Sequence, residues 1–158
     1  MTYSGAPTKL DEFLPYQLSI ASNAASNRIA GIYRDQFDLR IPEWRIMAVL
    51  GDAGAATQRE LAARTVMDKV AVNRACRALE ERGLLERAPN ATDGRSHHLA
   101  LTAEGMAIYA RIMPLTREME QWLFAAFSDE ERATFSRMLA RVRDRAGSLD
   151  PEADFGIE

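Results

Sequence analysis

Thr57-Gln58-Arg59-Glu60-Leu61-Ala62-Ala63-Arg64-Thr65-Val66-Met67-Asp68-Lys69-Val70-Ala71-Val72-Asn73-Arg74-Ala75-Cys76-Arg77-Ala78-Leu79-Glu80-Glu81-Arg82-Gly83 holds two helix starts and one helix stop. Thr57 and Glu60 match a capping box, in which hydroxyl and carboxylate each satisfy a free amide at a helix start. The short helix they open ends around Thr65 to Met67. Asp68 is the next N-cap, and its helix runs to Gly83, a left-handed terminator. In this second helix Val72, Ala75, Cys76 and Leu79 share one face at i, i+3, i+4, i+7 spacing, while Lys69, Val70, Asn73, Arg74 and Arg77 fall on the opposite side.

Downstream the period changes. Leu84-Leu85-Glu86-Arg87-Ala88 and His97-His98-Leu99-Ala100-Leu101 read as short strands around a long tip containing Asp93-Gly94, a strong turn signal. Thr102 caps a helix running through Met106, Tyr109, Ile112, Met113, Met119 and Leu123. Ser128-Asp129-Glu130-Glu131 is a second capping box, and opens a helix with Phe135, Met138, Leu139 and Val142 on one face. Upstream, Leu14, Leu18, Ala21, Ala25 and Ile29 predict one long helix from about Asp11 to Phe37. Pro42 then starts another through Trp44, Met47 and Leu50, ending near Gly51 before a Gly54-Ala55-Ala56 loop. The chain is thus expected to be mainly α with a small β-hairpin wing, a winged helix-turn-helix.

The second helix of the opening stretch carries the chemistry. Arginine pairs with guanine O6 and N7, asparagine with adenine N6 and N7, and lysine with phosphate, so this exposed face suits a major groove. On the helix alone, a solvated basic face is the commoner meaning of such a pattern. The order around it, a capped helix, a turn, a second helix and a hairpin tipped by Asp93-Gly94-Arg95, favours the groove reading. Arg95 at the tip can reach a minor groove or its phosphates.

Composition is compatible. The 158 residues carry a formal charge of −3, yet residues 57–98 hold eight Lys/Arg and six Asp/Glu, so the basic excess is local. Eighteen of the twenty basic residues are arginine, which suits bidentate contacts. The single cysteine, Cys76, excludes an intrachain disulfide framework and a multi-cysteine zinc site. Its place on an apolar face argues for packing over thiol sensing. His97 and His98 point to opposite sides of a strand, so a shared metal is not expected. No Walker loop, Gly-rich strand-to-helix turn or Gly-x-Ser-x-Gly elbow marks an enzyme, and no cofactor is implied. With no secretory signal and no membrane-length apolar run, the expectation is a cytoplasmic protein without a membrane partner.

The recognition helix ending in Leu79-Glu80-Glu81-Arg82-Gly83-Leu84, the Asp93-Gly94-Arg95-Ser96 wing and Leu101-Thr102-Ala103-Glu104-Gly105, with Pro42-Glu43-Trp44-Arg45 upstream, resemble the MarR family of regulators over roughly residues 11–146. The resemblance implies a transcriptional regulator, expected to be a repressor, that binds a palindromic double-stranded DNA operator as a homodimer. It implies a helical dimerisation region from both chain ends, 1–40 and 103–146, around a DNA-binding lobe at 41–102. A flexible acidic tail follows at 147–158. The outer helices agree, because their apolar stripes exceed what a small wing lobe can cover. Arg95 is then the minor-groove arginine and Asp93 its brace. Thr57, Gln58, Lys69, Val70, Asn73, Arg74, Arg77, Ser96 and His97 complete the expected DNA surface.

The resemblance also implies an effector cleft between platform and lobe, framed here by Tyr16, Asn23, Asn27, Arg40, Trp44, Arg45 and Met47. The alternative for these residues is ordinary core for Trp44 and Met47, and solvent or ion pairs for the rest. Leu14-Pro15-Tyr16-Gln17-Leu18 with Pro42-Glu43-Trp44-Arg45 looks like the branch controlling aromatic-acid catabolism, so the expected small-molecule effector is an aromatic acid or its coenzyme A thioester. Two rivals stay open at this point: a DNA-binding protein without an effector, and a helical interaction module or small enzyme that reuses the winged fold.

Overall fold

A computed structural model describes residues 9–89 and 97–149. The chain forms two compact units, Met1–Met119 and Glu120–Glu158.

The first unit opens with a single 3-10 turn, Leu10–Glu12, followed by α1 (Leu14–Phe37). One continuous helix from Asp11 was expected. A helix begun there would put Pro15 in its interior, without the N–H that the Asp11 carbonyl needs. The chain instead breaks at Phe13, Pro15 sits in the first turn of α1, and the Gln17 side-chain amide donates to the Asp11 carbonyl. Only the C-terminal half of α1 is buried, through Ala30, Tyr33 and Phe37.

Next comes α2 (Ile41–Ala53), which runs two residues past Gly51, near which it was expected to stop. Gly51 does not end the helix. A Cβ there would lie 2.6 Å from the Tyr109 ring, so the glycine is a packing surface for an aromatic side chain. Tyr109 lies on α5 (Ala103–Leu123). Trp44 stacks between Tyr33 and Tyr109, with centroids 5.5 and 6.0 Å away and both ring pairs 26° from parallel. This joins α1, α2 and α5.

Ala56, read as loop, and Thr57, read as a helix N-cap, form a short strand, β1 (Ala56–Thr57), in one sheet with β2 (Leu85–Pro89) and β3 (His97–Leu101). The sheet is antiparallel in the order β1-β3-β2, with Ala56 opposite Leu99 and Thr57 opposite His98. Two residues are too few to show a strand period in sequence, and the pairing partner lies forty positions on. The hairpin tip, including Asp93, Arg95 and Ser96, lies outside the described residues.

Helices α3 (Gln58–Thr65) and α4 (Lys69–Glu81) take the expected places. Val72, Ala75, Cys76 and Leu79 of α4 are buried, and Leu79 and Cys76 join Leu50, Leu61, Leu84, Leu99 and Ile112 in the fully enclosed core. Burial pushes the Cys76 thiol up to about 11, so it stays protonated and unreactive at neutral pH. Gly83 has φ 68° and terminates α4 as its sequence predicts. The Thr102 hydroxyl donates to the Gly83 carbonyl at 2.7 Å and accepts from Gly105 N at 3.1 Å, linking the end of α4 to the start of α5.

In the second unit α6 (Asp129–Ser148) starts at the expected capping box: Ser128 Oγ accepts from Glu131 N at 3.1 Å and Glu131 Oε2 accepts from Ser128 N at 2.7 Å. Phe124 packs against Phe127 and Phe135. Phe135, Met138, Leu139 and Val142 are all exposed.

Val66, in the turn between α3 and α4, has φ 53° and ψ 33° and is 77% exposed. A left-handed backbone costs an L-residue about 1–2 kcal/mol, and a β-branched one has least tolerance for it. So little of this side chain is packed that its loss removes almost no burial. Val66→Gly should therefore stabilise the protein by about 1 kcal/mol, the relief of strain exceeding the extra freedom of the unfolded chain. The measurement is a urea midpoint that rises at unchanged slope. A lowered midpoint would mean that the valine contributes more than its strain costs.

Candidate nucleic-acid interface

The interface is built from two helix starts. At α3, Thr57 Oγ1 accepts from Glu60 N at 3.2 Å while Glu60 Oε2 accepts from Thr57 N at 2.7 Å. The Thr57 backbone N–H, and after it the Thr57 hydroxyl, donate to the Glu60 carboxylate and hold it below its ordinary range. At α4, Asp68 Oδ1 accepts from Ala71 N at 2.7 Å. With both starts pinned, Gln58 in the first turn of α3 meets the side of α4. Its Nε2 donates to Asn73 Oδ1 at 3.3 Å, which orients the Asn73 amide before any ligand arrives.

The face of α4 opposite the core is exposed along its length by Lys69, Val70, Asn73, Arg74 and Arg77. Arg77 Nε donates to Glu81 Oε1 at 3.1 Å, with both side chains largely solvated. Such a pair is worth about 0–1 kcal/mol, so the guanidinium can leave it for a phosphate or a guanine at small cost. His97 is exposed at the start of β3, paired with Pro89, while His98 is half-buried. Thr57, Gln58 and the five α4 residues thus belong to one pair of packed helices. Asp93, Arg95 and Ser96 lie outside the described residues.

The residues expected to frame an effector cleft are dispersed. Tyr16, Asn23 and Asn27 are exposed on α1. Trp44 is inside the tyrosine stack and Met47 is fully buried, whereas Arg40 and Arg45 are exposed. Of the seven, Arg40 alone lines the groove of about 370 Å3 between the start of α2 and α4, together with Asp38, Glu43, Arg74 and Arg82.

Arg82 is the residue that sequence reasoning missed. Its two terminal nitrogens donate to the Phe37 and Asp38 carbonyls at 2.7 Å each, capping the end of α1 from the end of α4. A second clamp pairs Arg87 of β2 with Glu80 of α4 through two hydrogen bonds, and raises the Arg87 pKa. Neither partner is near in sequence to Arg82, and no local signal marks a guanidinium as a cap for a helix more than forty residues away.

Comparison with known proteins follows this geometry. The MarR family profile matches residues 37–96, from the end of α1 through the hairpin tip. The HTH-type transcriptional repressor IacR of Pseudomonas putida is 26% identical over 107 residues, covering 68% of this chain and 64% of that protein, so the chain spans a little under two thirds of that relative. A MarR/EmrR family transcriptional regulator from Acinetobacter sp. ADP1 superposes with a TM-score of 0.83 at 24% identity, over 90% of this chain and all of the other. NadR, crystallised with 4-hydroxyphenylacetate, does so with a TM-score of 0.75 at 22% identity, over 88% of this chain and 96% of its own. Fold, helix-turn-helix geometry and sequence similarity agree: the chain is similar to the MarR family of winged helix-turn-helix transcriptional regulators.

Proposed function

We propose that this protein is a homodimeric repressor that reads a palindromic DNA operator with α4 and the wing, and that a small aromatic effector releases it. The observation that carries the DNA reading is the division of α4 into a fully packed face and a solvated Lys/Val/Asn/Arg/Arg face, with Asn73 already oriented by Gln58. A recognition helix held this way enters the major groove with its first turns nearest the bases. From the sequence, Arg95 is assigned to the minor groove with Asp93 as its brace, and Ser96 and His97 to the phosphates. The regulator acts where its DNA is, in the cytoplasm.

The dimer rests on two apolar stripes that the single chain leaves in water. Leu14, Leu18 and Ile20 on α1 are exposed, as are Phe135, Met138, Leu139 and Val142 on α6. A second copy of the chain, in the 1–40 and 103–146 regions, is the natural cover. Two recognition helices related by a two-fold axis then match half-sites one helical turn apart.

For the effector, the support is chemical. Arg40 and Arg45 are exposed cations at the start of α2, beside Trp44 of the Tyr33–Trp44–Tyr109 stack, so a carboxylate finds charge next to an aromatic cluster that a ligand ring could enter. NadR, of the same fold, holds 4-hydroxyphenylacetate. An aromatic acid or its coenzyme A thioester is the class proposed; on α1 Asn27 is the nearest of the expected polar residues to Tyr33, whereas Tyr16 lies about 25 Å of helix before it, beyond the reach of the ring. Met47 contributes only when the cleft opens.

Asn73→Ala, Arg74→Ala and Arg77→Ala should each weaken binding to a selected operator by about 1–3 kcal/mol, with helix content and oligomeric state unchanged. Fluorescence anisotropy at fixed salt reads this, and equal affinity of the triple variant would remove α4 from the groove. Leu139→Asp should give monomers in sedimentation and lose operator binding, because one half-site supplies too little affinity; a wild type monomeric at micromolar concentration would refute the dimer. Titrating aromatic acids and their thioesters into the complex should release DNA for at least one compound. Release should weaken when Arg45 is changed to Ala. A panel with no effect would leave a repressor without this class of effector.

A further inference from the structure

Val70 is the one aliphatic side chain on the groove face of α4. It occupies the first turn, two residues after the N-cap Asp68, and is 67% exposed. Around the helix it stands almost opposite the buried row of Val72, Ala75, Cys76 and Leu79, in line with Arg77 two turns on. Nothing in the fold calls for a valine there. It packs into no core, it is a poorer helix former than alanine, and it neither caps the helix nor complements its dipole. Its neighbours on the same face, Lys69, Asn73, Arg74 and Arg77, all carry hydrogen-bond donors.

The edges of the base pairs in a major groove present donors, acceptors and a single apolar group, the C5 methyl of thymine. A side chain that can neither donate nor accept has only that group to recognise. Every other base edge would lose water to Val70 without gaining a partner, so the residue rejects as well as selects. Its branched Cβ holds one dominant χ1 rotamer in a helix, and little side-chain freedom is lost on contact. Asn73, one turn further along and oriented by Gln58, is placed for the edge of an adjacent base pair.

We propose that Val70 is a specificity-determining residue that reads the C5 methyl of one thymine in each operator half-site. This rests on the DNA-binding reading given above and adds to it the identity of one base.

The test begins with a duplex site selected by the wild-type protein from a random pool, in which each thymine is then replaced in turn by uracil, which lacks only the methyl. One position per half-site should weaken wild-type binding about fourfold when changed in one half-site and about fifteenfold when changed in both. Val70→Ala should bind the thymine and uracil sites equally. Val70→Thr, which keeps one of the two methyl groups, should restore discrimination. The substitution is exposed on a helix that alanine favours, so folding is not at risk, and an unchanged circular dichroism spectrum confirms it. A specific site with a flat uracil scan would overturn the role of Val70 while leaving the DNA reading intact. So would a Val70→Ala variant that still discriminates. Failure to select any site would overturn both.

Discussion

Trp44 lies flat between Tyr33 and Tyr109, and the placement of the rest of the first unit follows from it. Each such ring pair adds about 0.5–1.5 kcal/mol beyond its area of burial, but the geometric consequence matters more. The stack fixes the start of α2 between α1 and α5, and Gly51, two turns later, lets the Tyr109 ring lie against the helix backbone. With two points fixed, α2 can neither slide nor rotate. Helices α3 and α4 pack on α2, so the direction in which α4 presents its polar face is inherited from an aromatic contact made on another side of α2.

The energetic asymmetry across α4 explains how one helix can be rigid and still exchange partners. Burying each of Val72 and Leu79 is worth roughly 1.5–3 kcal/mol. On the opposite face the Arg77–Glu81 pair is worth about 0–1 kcal/mol, and the Gln58–Asn73 hydrogen bond is exposed and of similar size. The packed face therefore sets position, and the polar face can trade its internal contacts for those of a ligand without disturbing the core. Arg82 and Arg87 fix the C-terminal end of the same helix to α1 and β2.

Much of this was legible because it is local. The capping boxes at Thr57 and Ser128, the N-cap at Asp68 and the terminator at Gly83 are made by residues within four positions of each other, and each stands where the sequence places it. The two faces of α4 follow from helical period alone. What was not legible depends on distant partners. The strand Ala56–Thr57 exists only because β3 pairs with it, and Gly51 looks like a helix stop until Tyr109 is known to lie on it. The proline at position 15 was readable but outweighed by an apolar repeat that runs past it. For the effector residues, sequence could name Trp44 and Met47 as apolar positions on one helix. It could not tell that both turn inward.

That inward turn constrains how any effector can act. Met47 is fully buried and Trp44 is nearly so, sandwiched by two tyrosines. Under the proposed reading an aromatic acid can displace a ring of the stack and take its place against Trp44, in which case the start of α2 is no longer held and α3 and α4 must follow. It can instead bind Arg40 with the stack closed, in a groove also lined by Ala71, Arg74, Ala75 and Ala78 of α4, where it touches the recognition helix directly. Either mode releases DNA only if its affinity differs between two arrangements of α4, because a ligand shifts an equilibrium only by such a difference.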